Sequence, residues 1–121
     1  MRKSALVVDN NRNYLILAKD LLEVAGFEVF EAENAADGIA MARRGTPDII
    51  IMDVQLPDMC GTETARILRQ DKETSDIPIV FVTSSSMAEC EEAMKNITGT
   101  GFIGKPINTR TFVKEINQFI K

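Results

Sequence analysis

Five polar side chains in this sequence are of types that together can handle magnesium and phosphate. Asp9 and Asn10 follow one apolar segment, Asp53 follows a second, Thr83 a third and Lys105 a fourth. Carboxylate, amide and main-chain carbonyl oxygens suit Mg²⁺, which takes one or two carboxylates and keeps several waters. A lysine opposite two carboxylates serves as a counter-ion and as a phosphate ligand. The set therefore indicates a hard-oxygen metal site with a cation and a hydroxyl nearby.

The apolar segments before these residues predict buried parallel strands, at residues 5–8, 49–52, 77–82 and 101–104. In a parallel sheet the carboxyl ends of the strands meet at one edge, so the polar side chains should lie close together. A carboxylate where a buried strand emerges is costly unless it has a partner or a function. The alternative reading is that Asp9 or Asn11 only caps the following helix and Asp53 only starts a turn.

Strand-like and helix-like segments alternate five times along the chain, which predicts one domain over residues 1–121. Five such units form a doubly wound parallel sheet, because each parallel return needs a right-handed crossover. The segments at 27–31 and 101–104 are the least apolar and should lie at the edges. We therefore predict a flavodoxin-like (βα)5 α/β fold with strand order 2-1-3-4-5 and a ligand site at strands 1 and 3.

Helices are predicted at about 13–25, 35–44 and 62–71, with a fourth from Ser86 and a fifth after Asn108. In the first helix an apolar stripe is formed by Tyr14, Leu17, Leu21 and Val24. Gly26 should end the first helix and Gly45 the second, while Asn34 should cap the start of the second. In the fourth, Met87, Cys90, Met94 and Ile97 recur at helical spacing.

Composition excludes several classes of function. The chain has no histidine, so a histidine-based catalytic triad, a histidine-ligated metal and a phosphohistidine carrier are all excluded. The net charge of -4 argues against direct nucleic-acid binding, and no apolar run is long enough for a membrane span. Cys60 and Cys90 lack metal or redox spacing, and no export signal is visible, so a reduced cytoplasmic setting is expected.

Taken together, these residues resemble the response-regulator receiver domain over about residues 3–121. The segment at 50–61 is similar to the phosphoacceptor strand and loop of that family, with Asp53 in the acceptor position. Thr83 matches the family's hydroxyl residue, Lys105 with the following Pro106 its lysine and proline, and Phe102 its switch aromatic. Each motif alone is weak, but their occurrence together, in this order on the expected strands, is highly specific.

The resemblance implies phosphorylation of Asp53 by a histidine kinase or a histidine phosphotransfer protein of a two-component or phosphorelay system. It implies Mg²⁺ held by Asp9, Asn10, Asp53 and the Gln55 main-chain carbonyl. Lys105 would pair with a phosphoryl oxygen. The chain would not be an enzyme beyond catalysing its own phosphorylation and dephosphorylation.

The resemblance further implies a switch in which Thr83 bonds the phosphoryl group while Phe102 turns inward. The surface of the fourth predicted helix, fifth strand and last helix would then change for an unknown downstream protein. A monomer or weak homodimer is expected, either as a stand-alone regulator or as part of a longer protein.

The sequence departs from the family pattern at Asn10, where the family usually has a second acid. With Mg²⁺ present, the site with Asn10 carries about one more positive charge than the site with an acid there. Asn10 should therefore weaken metal binding while easing the approach of an anionic phosphodonor. Two alternatives follow: a pseudo-receiver that binds partners without phosphorylation, and a flavodoxin-like small-molecule binder, which would need an apolar pocket at the switch point.

Overall fold

The computed structural model describes residues 3–83, 100–104 and 107–120. Five strands form one parallel sheet in the order β2-β1-β3-β4-β5. They are β1 (Ser4–Val8), β2 (Glu28–Ala32), β3 (Ile49–Asp53), β4 (Ile79–Thr83) and β5 (Thr100–Gly104). The predicted fold class and strand order are confirmed, with the two least apolar segments at the edges.

Four helices lie within the described residues: α1 (Arg12–Val24), α2 (Ala35–Gly45), α3 (Gly61–Gln70) and the C-terminal helix (Phe112–Phe119). The helix predicted from Ser86, with its stripe of Met87, Cys90, Met94 and Ile97, lies outside the described residues. Of the helices in the described ranges, none combines the length and the apolar character that a membrane crossing requires.

The sheet is covered on both faces, as doubly wound folds require. On one face, α2 and α3 pack through small and aliphatic side chains, including Ala42, Ala65 and Leu68. On the other face, α1 and the C-terminal helix pack through larger side chains such as Leu22 and Phe112. Residues 49–52 of β3 are all buried, which makes this strand the centre of the core.

The buried face of α1 differs from the predicted stripe. Its buried residues are Leu15, Ala18 and Leu22, whereas Leu17 is exposed and Val24 is 89% exposed. The helix carries apolar side chains around most of its circumference, so more than one stripe has helical spacing. The stripe that packs on the sheet has the small residue Ala18 at its centre, which allows the helix to approach the sheet closely.

The helix ends agree with the predicted positions. Asn34 caps α2 with a side-chain oxygen that accepts the Asp37 amide, and Gly26 follows α1 with a φ of 97°. Gly45 is the last residue of α2, and the left-handed turn follows at Thr46 with a φ of 38°. Pro47 disfavours a right-handed helical backbone at the residue before it, so the helix must end ahead of Thr46.

Candidate functional site

The sheet brings Asp9 and Asp53 together at its carboxyl edge. Val8 of β1 pairs with Met52 of β3, so the next residue of each strand stands at the same level. Adjacent strands lie about 4.8 Å apart, so Asp9 and Asp53 are close neighbours across the sheet edge. Asp9 is only 3% exposed and Asp53 is half-buried. Asp9 and Asp53 therefore both lie at the carboxyl edge of the sheet, on neighbouring strands.

Asp9 is fixed by the backbone on both sides of it. Its amide donates to the Ala32 carbonyl at 3.0 Å, and its Oδ1 accepts the Asn11 amide at 2.9 Å. The cap of α1 is Asn11, whose Oδ1 accepts the amides of Asn13 and Tyr14 at 3.0 and 3.3 Å. Asn11, and not Asp9, is thus the capping residue of α1.

Asp53 is oriented by the loop that follows it, residues 54–60, which we call the acceptor loop. The Gln55 amide donates to Asp53 Oδ1 at 3.1 Å. Gln55 and Cys60 form an isolated antiparallel bridge, and the Gly61 amide donates to the Val54 carbonyl at 2.6 Å. The acceptor loop is therefore a tight turn whose first residues hold the Asp53 carboxylate.

Gly61 is required by the close approach at the end of this turn. A Cβ at this position would lie 2.6 Å from the Asp53 carbonyl oxygen and 2.8 Å from Val54 Cα. Both are backbone atoms, which a side-chain rotation cannot move. Glycine at the first position of α3 thus permits the geometry that holds Asp53.

Asp58 at the tip of the acceptor loop was not predicted as a functional residue. Its two carboxylate oxygens accept the amides of Ala35 and Ala36 at 2.8 and 3.0 Å. These bonds, first that of Ala35 and then that of Ala36, lower the pKa of Asp58 below its ordinary value of 3.8. No local pattern in the sequence indicates this contact, because the two partners are 23 and 22 residues away along the chain.

Tyr14 is a second residue of the site whose role was not predicted. The pKa of its phenol is raised from 10.0 to about 12, chiefly by burial; the charges of Asp9 and Asp53 contribute to this rise, and a hydrogen bond with the Ile107 backbone opposes it in part. Its ring packs against the core beneath α1 and the C-terminal helix. The phenol is therefore a neutral polar group close to both carboxylates at physiological pH.

The oxygens at this edge suit Mg²⁺. Asp9 and Asp53 supply two carboxylates, and Gln55 adds a main-chain carbonyl two residues beyond Asp53. Asn10 is exposed beside them. Within the described ranges, no three or more acidic, cysteine or histidine residues gather into a metal cluster. Two carboxylates, with waters completing the shell, nevertheless satisfy the usual needs of Mg²⁺, so the residues present fit this ion.

Three of the predicted site residues are described in part or not at all. Thr83 ends β4 opposite Gly104, and Phe102 lies in β5 opposite Phe81. For both residues the structure describes the backbone alone. Lys105 lies outside the described residues altogether. The backbone therefore places Thr83 at the same sheet edge as Asp53, one strand further along.

An apolar cleft of about 260 Å³ lies away from this edge. It is lined by Leu6, Phe30, Met41, Arg44, Gly45 and Pro47. None of the predicted site residues lines this cleft, so it does not supply the switch-point pocket that a flavodoxin-like small-molecule binder would need.

Parallel order 2-1-3-4-5 with carboxylates at strands 1 and 3 defines a class of doubly wound domains whose site lies at the switch point of the sheet. The family model of the response regulator receiver domain matches residues 5–117. The chain belongs to this family, whose members act in two-component signalling.

Relatives and solved structures agree with this assignment. The chain is 33% identical to the polar-differentiation response regulator DivK of Brucella anthropi over 120 residues, which covers 99% of this chain and 98% of that protein. It is similar to the chemotaxis response regulator CheY4 of Vibrio cholerae, with 28% identity, a TM-score of 0.92, and coverage of 99% and 100%.

A second solved structure resembles the chain in its fold. It is the receiver domain of the sensor histidine kinase PA1611 of Pseudomonas aeruginosa, which has a magnesium ion in its active-site cleft. Its TM-score is 0.89 at 19% identity, covering 98% of each chain.

Proposed function

We propose that this receiver domain accepts a phosphoryl group on Asp53 from a phosphohistidine of a histidine kinase or phosphotransfer protein. The observation that carries the proposal is the position of Asp53. It ends a strand whose other four residues are buried, emerges half-exposed beside Asp9, and has a carboxylate oriented by the Gln55 amide. A fixed carboxylate at a shared sheet edge is suited to attack an incoming phosphoryl group.

In the proposed reaction, an Asp53 carboxylate oxygen forms a bond to phosphorus while the bond from phosphorus to the histidine nitrogen breaks. The imidazole leaves with the electron pair of that bond. The hydrogen bond from the Gln55 amide holds the carboxylate in position for this attack. Lys105 is proposed to pair with a phosphoryl oxygen, as the family resemblance implies. Positioning and charge neutralisation would account for most of the catalysis.

Asp9, Asp53 and the Gln55 carbonyl are proposed to hold Mg²⁺, with Asn10 as a weaker neighbour. When bound, the ion would neutralise negative charge on the transferring phosphoryl oxygens. The buried carboxylate of Asp9 is suited to this role, because a cation offsets the cost of burying its charge. Magnesium binding by this chain is expected to be weak, since Asn10 supplies no charge.

Phosphorylation would replace the single charge of Asp53 with roughly -1.5 to -2. Thr83, at the end of the neighbouring strand β4, is proposed to bond the phosphoryl group, with Phe102 on β5 as the switch aromatic. The altered surface of the predicted fourth helix, β5 and the C-terminal helix would then be read by a downstream protein.

The test is phosphorylation of the intact chain by a small phosphodonor such as acetyl phosphate, with and without Mg²⁺. Intact mass should show one added phosphoryl group that hydroxylamine removes, as expected for an acyl phosphate. Asp53→Asn should abolish the adduct, and Asp20→Asn, at an exposed position of α1, should retain it. An adduct that persists in Asp53→Asn would contradict the assignment of the acceptor.

A second candidate is a pseudo-receiver that binds partners without phosphorylation, and Asn10 is the residue that favours it. In that case the wild-type chain would remain unmodified with saturating Mg²⁺ and phosphodonor. Adduct formation that depends on Asp53 would exclude it. The expectations of a cytoplasmic location and of a monomer or weak homodimer remain predictions.

A further inference from the structure

The acceptor loop is held at several points along its length. Leu56 is buried in the core cluster under α2 and α3, and Met59 packs partly against the same cluster. Gln55 and Cys60 pair across the base of the loop. Asp58 lies between these anchors with an exposed side chain. The loop is therefore fixed at its base by backbone bonds and at its sides by apolar contacts.

Asp58 adds a contact to a different element. It accepts one hydrogen bond from the Ala35 amide and one from the Ala36 amide, at the first two positions of α2. These amides have no acceptor within their own helix. The third amide of α2, that of Asp37, is already satisfied by Asn34 Oδ1 at 2.8 Å. The start of α2 thus has two caps, one from its own chain segment and one from the acceptor loop.

A continuous series of contacts joins α2 to the phosphoacceptor. The helix amides bind the Asp58 carboxylate, and Asp58 lies three residues beyond Gln55 in the same short loop. The Gln55 amide in turn donates to Asp53 Oδ1. Gln55 is also the residue whose carbonyl is proposed to ligate Mg²⁺. A displacement of the loop tip would therefore move both the metal ligand and the bond that orients the acceptor carboxylate.

We propose that Asp58 is a positioning residue of the acceptor site, which ties the loop tip to α2 and so keeps Gln55 in register with Asp53. The effect of Asp58 on metal binding and phosphorylation rests on the function proposed above. The effect of Asp58 on the position of the loop is independent of that function. The carboxylate touches neither the phosphoryl group nor the metal in this arrangement, and it acts through the loop.

The chain offers a matched control at the other cap of the same helix end. Asp58→Ala removes the cap from the acceptor loop, whereas Asn34→Ala removes the local cap and leaves the loop contact in place. Both variants should lower the urea midpoint of unfolding, because each exposes amides of the same helix end. Only Asp58→Ala should speed hydrogen exchange at the Gln55 and Gly61 amides, whose hydrogen bonds form the base of the loop.

The affinity for Mg²⁺, measured by calorimetric titration, should also differ between the two variants. Loss of outer-shell partners commonly lowers metal affinity, so we expect about a tenfold loss for Asp58→Ala and none for Asn34→Ala. The phosphorylation rate at subsaturating Mg²⁺ should fall in the same variant and recover at higher Mg²⁺. Should Asp58→Ala fail to fold, Asp58→Asn, which keeps one acceptor oxygen, allows the same comparison.

Equal amide exchange in Asp58→Ala and Asn34→Ala would overturn the proposal, because Asp58 would then be only a helix cap. Faster exchange with unchanged Mg²⁺ affinity would also overturn it as a statement about the acceptor site. A wild-type chain that takes up neither Mg²⁺ nor phosphoryl would instead refute the proposed function. The exchange comparison would still decide whether Asp58 holds the loop.

Discussion

Replacing Gly61 with alanine tests the close packing that holds β3 to the acceptor loop. The added Cβ would lie 2.6 Å from the Asp53 carbonyl oxygen, 2.8 Å from Val54 Cα and 3.2 Å from the Val54 carbonyl oxygen. The first two contacts are shorter than carbon and oxygen atoms tolerate and the third is tight, and all three atoms belong to the backbone. Either the acceptor loop or the start of α3 must therefore move.

The cost can be estimated from two contributions. Forcing a methyl group into a closely packed position costs about 1–3 kcal/mol. Moving Gly61 also strains its hydrogen bond to the Val54 carbonyl, at 2.6 Å, and the loss of such a bond costs about 0.5–1.5 kcal/mol. Alanine gains about 0.4–1 kcal/mol from the reduced freedom of the unfolded chain. The net loss of unfolding free energy should be about 1–3 kcal/mol.

Gly45→Ala is the matched control, because Gly45 is also a terminal helix residue and a Cβ there would meet nothing within 4 Å. The unfolded-chain gain is common to both variants and cancels in their comparison. The two alanine variants should therefore differ by about 2–4 kcal/mol in unfolding free energy. In urea, with a slope of about 2 kcal/mol per molar, their midpoints should differ by about 1–2 M.

Equal midpoints for Gly61→Ala and Gly45→Ala would refute this reasoning, because the backbone contact at Gly61 would then be relieved without cost. A large loss in Gly45→Ala would refute it equally, since nothing in the structure opposes alanine there. If Gly61→Ala is destabilised as expected, acetyl phosphate should also label it more slowly than Gly45→Ala, because the displaced atoms include the carbonyl of the proposed acceptor.

Three further changes test other parts of the structure. Asn10→Asp should raise Mg²⁺ affinity by adding a carboxylate, and an unchanged calorimetric titration would contradict the charge argument. Tyr14 is the only tyrosine of the chain, so its absorbance should titrate near pH 12 when folded, and stability should be constant below about pH 10 and fall as pH rises from 10 to 12. A folded-state midpoint near 10 would contradict the burial of the phenol. Gly101→Ala should cost about 1–3 kcal/mol, because its Cβ would collide with the Phe119 ring. Combining it with Phe119→Leu should recover part of the loss, and simple additivity would show that the ring is not the obstacle.

The strands and their order could be predicted because the information is local and strong. Short runs in which every residue is apolar, such as residues 49–52, are typical of the central strands of a parallel sheet that is covered on both faces. The polar residues that end these runs then fall at one edge by topology alone. The pairing of Asp9 with Asp53 therefore needed no knowledge of side-chain contacts.

The buried face of α1 could not be predicted in the same way, because Leu17 and Leu22 are equally apolar and only the sheet distinguishes them. Asp58 was missed for a different reason. An exposed aspartate after a proline has the local pattern of a turn, and its partners lie at the start of α2, beyond any sequence window. Contacts between a side chain and a distant backbone leave no periodicity in the sequence.

These contacts divide the neighbourhood of Asp53 into two sides with different roles in the proposed switch. On the side of β1 and α2, Asp9 is held by backbone bonds and the acceptor loop is tied to α2 through Asp58. Under the proposed function, a new charge on Asp53 acts against a loop that is held on the α2 side. We therefore expect the response to be directed towards β4 and β5, which carry Thr83 and Phe102. Under the proposed function, Asp58 holds the loop on the α2 side, so that the change of charge on Asp53 alters the side of β4 and β5.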